Sequence, residues 1–123
     1  MRQINIILGG AVFRAEPADT STADKIWEAL PIECAFNTWG DEMYYSIPVE
    51  ADLDSTAREV VELGDLGYWP SGNAFCIFFG ATPMSRGDEI RPASAVNVVG
   101  KTLDDPKGLR AHIHESGIRI EAG

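Results

Sequence analysis

Three carboxylates sit where turn residues meet aromatic side chains. Asp41 and Glu42 follow Trp39-Gly40 and precede Met43-Tyr44-Tyr45; Asp65 follows Gly64 and precedes Leu66-Gly67-Tyr68-Trp69. A carboxyl group against an aromatic wall loses hydration in its charged form. Its pKa then rises toward the range in which it works as a general acid or base. The plainer reading of Asp41 and Asp65 is that of turn residues, whose side chains bond their own backbone just after a glycine. No second catalytic group stands at a fixed spacing from any of the three.

The other chemistry-bearing residues are scattered. His112 and His114 are the only histidines. Two residues apart on a helix they point in different directions and do not share a metal. With no CxxC, HExxH or histidine-rich cluster to help them, neither a metal nor another cofactor is expected. A serine nucleophile needs a base and an orienting acid. No GxSxG elbow is present, and nothing places a histidine near Ser85, which follows Thr82-Pro83. Cys34 and Cys76 lie in apolar settings and read as buried, reduced thiols; a disulfide or a reactive thiol is the alternative.

Charge narrows the partners. Ten basic and nineteen acidic side chains leave a net charge of −9 on 123 residues. Such a chain repels phosphate backbones and anionic bilayers, so neither nucleic acid nor a membrane is an expected partner. Between Asp41 and Asp65 stand eight acids against Arg58 alone. That interval is either a solvated face or a surface that attracts a basic peptide or a cation. The N-terminal run up to Leu8 is too short for a signal peptide or a membrane span, and the protein is expected in the cytoplasm. Length and an apolar content of 45% suit one domain, residues 1–123, with a single packed core.

The elements that must hold these residues are mostly strands. Ile4 to Leu8, a Gly9-Gly10 turn and Ala11 to Glu16 predict an opening hairpin ended by Pro17. A helix follows, with Ser21 as its cap and Asp24 in the capping-box position. Its stripe, Ala23, Ile26, Trp27 and Leu30, covers the end of a barrel, and Pro31 terminates it. Ile32 to Thr38 predicts a strand, and so does Glu42 to Val49. In the latter Met43, Tyr45, Ile47 and Val49 share one face, and Glu42, Tyr44 and Ser46 the other. Glu50 to Ser55 is an acidic loop, and Glu59 to Leu63 a further strand. Asp65 to Trp69, a Pro-Ser-Gly turn and Ala74 to Phe79 form a hairpin. No polar residue interrupts its second strand, which is therefore buried on both faces. Ala95 to Gly100 is another strand. Asp105 and Pro106 start a second helix, with Leu109, His112 and Ile113 facing inward and Gly117 as its stop; Ile118 to Glu121 closes the chain.

The hairpin from Gly64 to Ser85 resembles the signature segment of a small bacterial and archaeal family with a cyclophilin-like barrel, distinct from the true prolyl-isomerase cyclophilins. Leu30-Pro31, the segment from Trp39 to Tyr45 and the segment from Arg91 to Gly100 resemble the same family. Ala95 departs from it, standing where the family's Ser-Pro-Val-Asn run carries proline. The resemblance implies a mainly β protein, a closed antiparallel cyclophilin-like β-barrel capped by two short helices. It implies no reaction. Cyclophilin-type isomerases aim an arginine at the prolyl nitrogen beside an aromatic pocket, a glutamine and a histidine. Here the only glutamine is Gln3, and Arg14 is the only arginine in mid-strand, so efficient isomerisation is not expected.

Three functions stay open at this point. The first is a binding domain holding a small molecule or short peptide near Trp39, Asp41, Glu42, Tyr45, Asp65, Tyr68, Trp69, Phe79 and Thr82, since aromatic walls with polar tips suit ligands. The second is an enzyme, a hydrolase or a weak isomerase, using Asp41, Glu42 or Asp65. The third is a structural role, as a monomer or small homo-oligomer whose exposed aromatics bury against another copy.

Overall fold

A computed structural model describes residues 2–123. The chain runs β1 (Ile4–Leu8), β2 (Ala11–Pro17), α1 (Ser21–Ala29), β3 (Ile32–Cys34), β4 (Asn37–Thr38), β5 (Glu42–Ser46), β6 (Ala57–Arg58), β7 (Asp65–Trp69), β8 (Ala74–Phe78), β9 (Val96–Thr102) and β10 (Ile118–Ala122). Short 3-10 helices occupy Pro70–Gly72 and Pro106–His112. The strands form one antiparallel sheet in the order β3-β10-β1-β2-β9-β7-β8-β5-β4, with β6 beside β9.

This is the mainly β architecture with two helical caps that the resemblance implies, but the barrel is not closed by pairing. The sheet curls into a half-barrel whose outermost strands, β3 and β4, pair inward with β10 and β5. The expected single strand from Ile32 to Thr38 is thus two short strands at opposite ends of the order. Only Ala35 and Phe36 lie between them.

Side-chain alternation explains the interior. Met43 and Tyr45 on β5, with Ile47 and Val49 beyond it, are all buried, as are Ile4, Ile6 and Leu8 on β1. They join Leu66, Tyr68, Phe75, Ile77, Phe79, Ile118 and Ile120 in the inner core, onto which α1 packs Ala23 and Ile26. A second apolar cluster covers the outer face: Val61, Ala74, Cys76, Phe78, Ile90 and Val96, with Tyr44 and Trp69 half-buried against it. All five residues of β8 are therefore buried. Gly67 on β7 fits beneath the outer cluster because it has no side chain; a Cβ there would stand 3.0 Å from Val96 Cγ2 and 3.1 Å from Phe78 Cε2.

Local expectations shift in four places. Thr20, not Ser21, caps α1: its extended backbone lets its side-chain oxygen accept the Ala23 N–H at 3.1 Å, while the Asp24 N–H is already bonded to the Thr20 carbonyl at 2.9 Å. The predicted strand from Glu59 to Leu63 does not form, because only Val61 turns inward, bridging Ile90; Val60 and Leu63 are exposed. The second helix is a 3-10 turn capped by the Asp105 side chain. Three residues per turn keep Leu109 inside and leave Ile113 exposed. It stops at His112, well before Gly117.

One buried polar group organises the acidic loop. Asn97 on β9 is fully buried; its amide donates to the Asp52 carbonyl at 2.9 Å and to Thr22 Oγ1 at 3.3 Å, and its oxygen accepts the Asp54 N–H at 2.8 Å. Thr22 in turn donates to the Asp54 carboxylate at 2.9 Å. The loop after Val49 is thereby tied to the start of α1 and to the sheet. No helix among the described residues is long and apolar enough to cross a membrane.

Candidate functional site

The outer face of the sheet opens into a cleft of about 220 Å³. Glu42, the first residue of β5, stands at its base, and Trp39, Tyr44 and Trp69 form aromatic walls. Pro92, Ala93 and Val96, from the segment leading into β9, complete it. Period-two alternation places Glu42 and Tyr44 on the outward face, and it puts Trp69 outward because Tyr68 points inward. The Trp69 indole is fixed by its N–H, which donates to Ser94 Oγ at 2.6 Å.

Glu42 is the chemically distinctive member. It is only 6% exposed, and burial raises its pKa from an ordinary 4.5 to about 7, against a smaller lowering by the neighbouring Cys76 thiol. Cys76 lies one diagonal step away on β8, where Phe78 faces Glu42 and Cys76 faces Tyr44. Burial first, then the carboxylate itself, pushes the thiol well above its usual range, so Cys76 stays protonated, its Sγ–H directed to the Ala74 carbonyl at 3.9 Å. Both cysteines are free, Cys76 buried and Cys34 half-buried. Near neutrality the cleft thus holds a carboxyl divided between its two protonation states.

The remaining sequence candidates are elsewhere. Asp41 pairs with the Arg110 guanidinium, and its backbone bonds Ala81 and Phe79. Asp65 opens β7 and accepts the Glu62 N–H at 2.8 Å; burial raises its pKa, opposed by that bond. Tyr45, Tyr68 and Phe79 belong to the inner core. Tyr45 stacks on Phe75 with ring centroids 5.6 Å apart, its hydroxyl buried without a protein partner. Thr82 is buried as the brace of its loop, its hydroxyl bonding the Arg91 carbonyl and accepting the Met84 N–H at 3.2 Å. Of the nine candidates, Trp39, Glu42 and Trp69 meet in the cleft.

Sequence reasoning left Tyr44 out of the candidate set and passed over Pro92, Ala93 and Val96. For Tyr44 the signal existed, since it shares an alternating face with Glu42. The other three come from a distant segment with no local pattern to link them. Arg14 lies outside this site: it grips Asp104 with two guanidinium nitrogens, at 3.2 and 2.8 Å. His112 packs edge-on against Phe13, with its Nδ1 3.5 Å from Glu115.

Comparison with known proteins gives the molecule its relatives. The family model described as cyclophilin-like matches residues 2–121. The solution structure of a hypothetical protein from Archaeoglobus fulgidus is similar, with 38% sequence identity and a TM-score of 0.81 over 98% of this chain and 93% of that one. No curated protein matches this chain.

Proposed function

The chain belongs to the cyclophilin-like family, and from that premise and the geometry of the cleft we propose that it is a binding domain whose occupant is a small molecule or one side chain of a short peptide. The observation that carries this reading is Glu42, a buried carboxyl at the base of a cleft walled by two tryptophans and a tyrosine. Folding does not require a buried carboxyl there, and its desolvation opposes folding unless a partner compensates. Pockets that enclose a drug-sized ligand span roughly 300–1,000 Å³; 220 Å³ suits a smaller group.

Binding is favoured over acid–base catalysis because the three candidate carboxylates do not converge. Asp41 and Asp65 lie outside the cleft, engaged with Arg110 and the Glu62 backbone. It is favoured over an interface role because Tyr68 is buried inside the sheet rather than offered to another copy.

A fragment screen read by the indole N–H signals tests the reading. The chain has three tryptophans, and Trp27 lies on α1, away from the cleft. Fragments that bind as proposed shift the Trp39 and Trp69 signals and spare that of Trp27. A screen in which no fragment moves either cleft signal refutes the proposal.

A further inference from the structure

Building on the binding reading above, we propose that the occupant of the cleft is an organic cation, a small alkylated ammonium group, held between Trp39, Tyr44 and Trp69 with the Glu42 carboxylate as its counter-charge. Four observations converge on this chemistry.

The walls are aromatic, and ammonium groups are attracted to the faces of tryptophan and tyrosine, most of all to tryptophan. The base carries a carboxylate, and among the described residues no lysine, arginine or histidine lines the cleft to neutralise it or to hold an anion. The indole N–H of Trp69, which would serve an anionic or carbonyl ligand, is already spent on Ser94. The chain's net charge of −9 raises the local concentration of cations at a cleft of this sign.

The groups around Glu42 make the binding proton-linked. Cys76 on β8 is protonated, and Trp69 on β7, Trp39 and the Pro92–Val96 segment bring no titratable group. Among the groups named, Glu42 is the one that changes charge near neutrality. A cation selects the ionised carboxylate, so its apparent affinity falls by the fraction ionised as pH drops below 7. Binding at pH 6 releases a proton, whereas binding at pH 8 releases little.

Choline, which keeps its charge at every pH, and 3,3-dimethylbutan-1-ol, its neutral counterpart of the same shape, are the probes. Choline is expected to shift the Trp39 and Trp69 indole signals, about tenfold more tightly at pH 8 than at pH 6. Calorimetry in buffers of different ionisation enthalpy should show the released proton at pH 6. Glu42→Gln keeps the shape, removes the charge and should weaken choline at least tenfold. The alcohol should bind more weakly and without pH dependence. If the alcohol binds as tightly as choline, the cation assignment is overturned while the binding reading stands; if choline binds more tightly than the alcohol but equally at both pH values, the proton linkage alone is overturned. The comparison of choline with the alcohol on the unmodified protein decides this even if Glu42→Gln folds poorly. If neither probe moves a cleft signal, the cation assignment is overturned, and the fragment screen decides the binding reading separately.

Discussion

Tyr68 and Trp69 are adjacent on β7 and stand on opposite sides of the sheet. Tyr68 is fully buried in the inner core, its hydroxyl donating to the Val49 carbonyl at 2.6 Å, while Trp69 walls the outer cleft and donates to Ser94. The two residues therefore separate stability from the proposed binding.

Trp69→Ala should leave the fold intact and abolish fragment binding in the cleft. Tyr68→Phe should do the reverse: it orphans the Val49 carbonyl, costs about 1–3 kcal/mol and leaves the cleft unchanged. Chemical denaturation alongside ligand titration of the two variants checks this. Unfolding of the Trp69 variant would place that ring in the core instead.

Glu42 should make stability depend on pH. Its folded-state pKa of about 7 lies above the ordinary 4.5, so between these values the folded protein holds a proton that the unfolded chain has lost. Stability from this group is full below pH 4.5, falls as pH rises to 7 and is flat above. Ionising it costs on the order of 3 kcal/mol. Glu42→Gln removes that cost, so the variant should gain on the parent as pH rises from 4.5 to 7.5. A stability difference that stays constant across this range would show that Glu42 titrates normally.

Phe78 is wholly buried beneath the cleft, in the outer cluster with Val96 and Cys76. Phe78→Ala should cost roughly 3–5 kcal/mol. A loss below about 1 kcal/mol on urea unfolding would mean that the outer cluster contributes little to the fold.

Asn97→Ala removes three hydrogen bonds from a fully buried site and strands the Asp52 carbonyl and the Asp54 N–H. It should cost at least about 2 kcal/mol. It should also speed amide exchange at Asp54, whose N–H loses its acceptor while Thr56 Oγ1 still accepts the Val98 N–H of β9 at 3.1 Å. Unaltered exchange there would show that Thr22 and Thr56 hold the loop without Asn97.

The sheet was legible in the sequence wherever alternation or an unbroken apolar run dictates burial. Met43, Tyr45, Ile47 and Val49 point inward as their spacing requires, and β8 is buried on both sides as the six-residue apolar run from Ala74 to Phe79 demands. The cleft was legible only in part. Trp39, Glu42 and Trp69 carry a local signal of aromatic and acid beside a turn; Pro92, Ala93 and Val96 reach it only through long-range pairing of β9. Treating Tyr68 and Trp69 as one corner overlooked the strand period itself, which sends neighbours to opposite faces. The interval from Ile32 to Thr38 reads as one strand because local propensity is blind to which partner each half will choose.

The Ala35–Phe36 link has a consequence for self-association. The two outermost strands of the sheet are the sites where a foreign strand could add, and they are three and two residues long. Edges this short offer few free backbone groups as a template for aggregation. Because one link joins them, a single proteolytic cut between Ala35 and Phe36 would release both edges at once. Sheet extension would then become possible at the two ends of the half-barrel together.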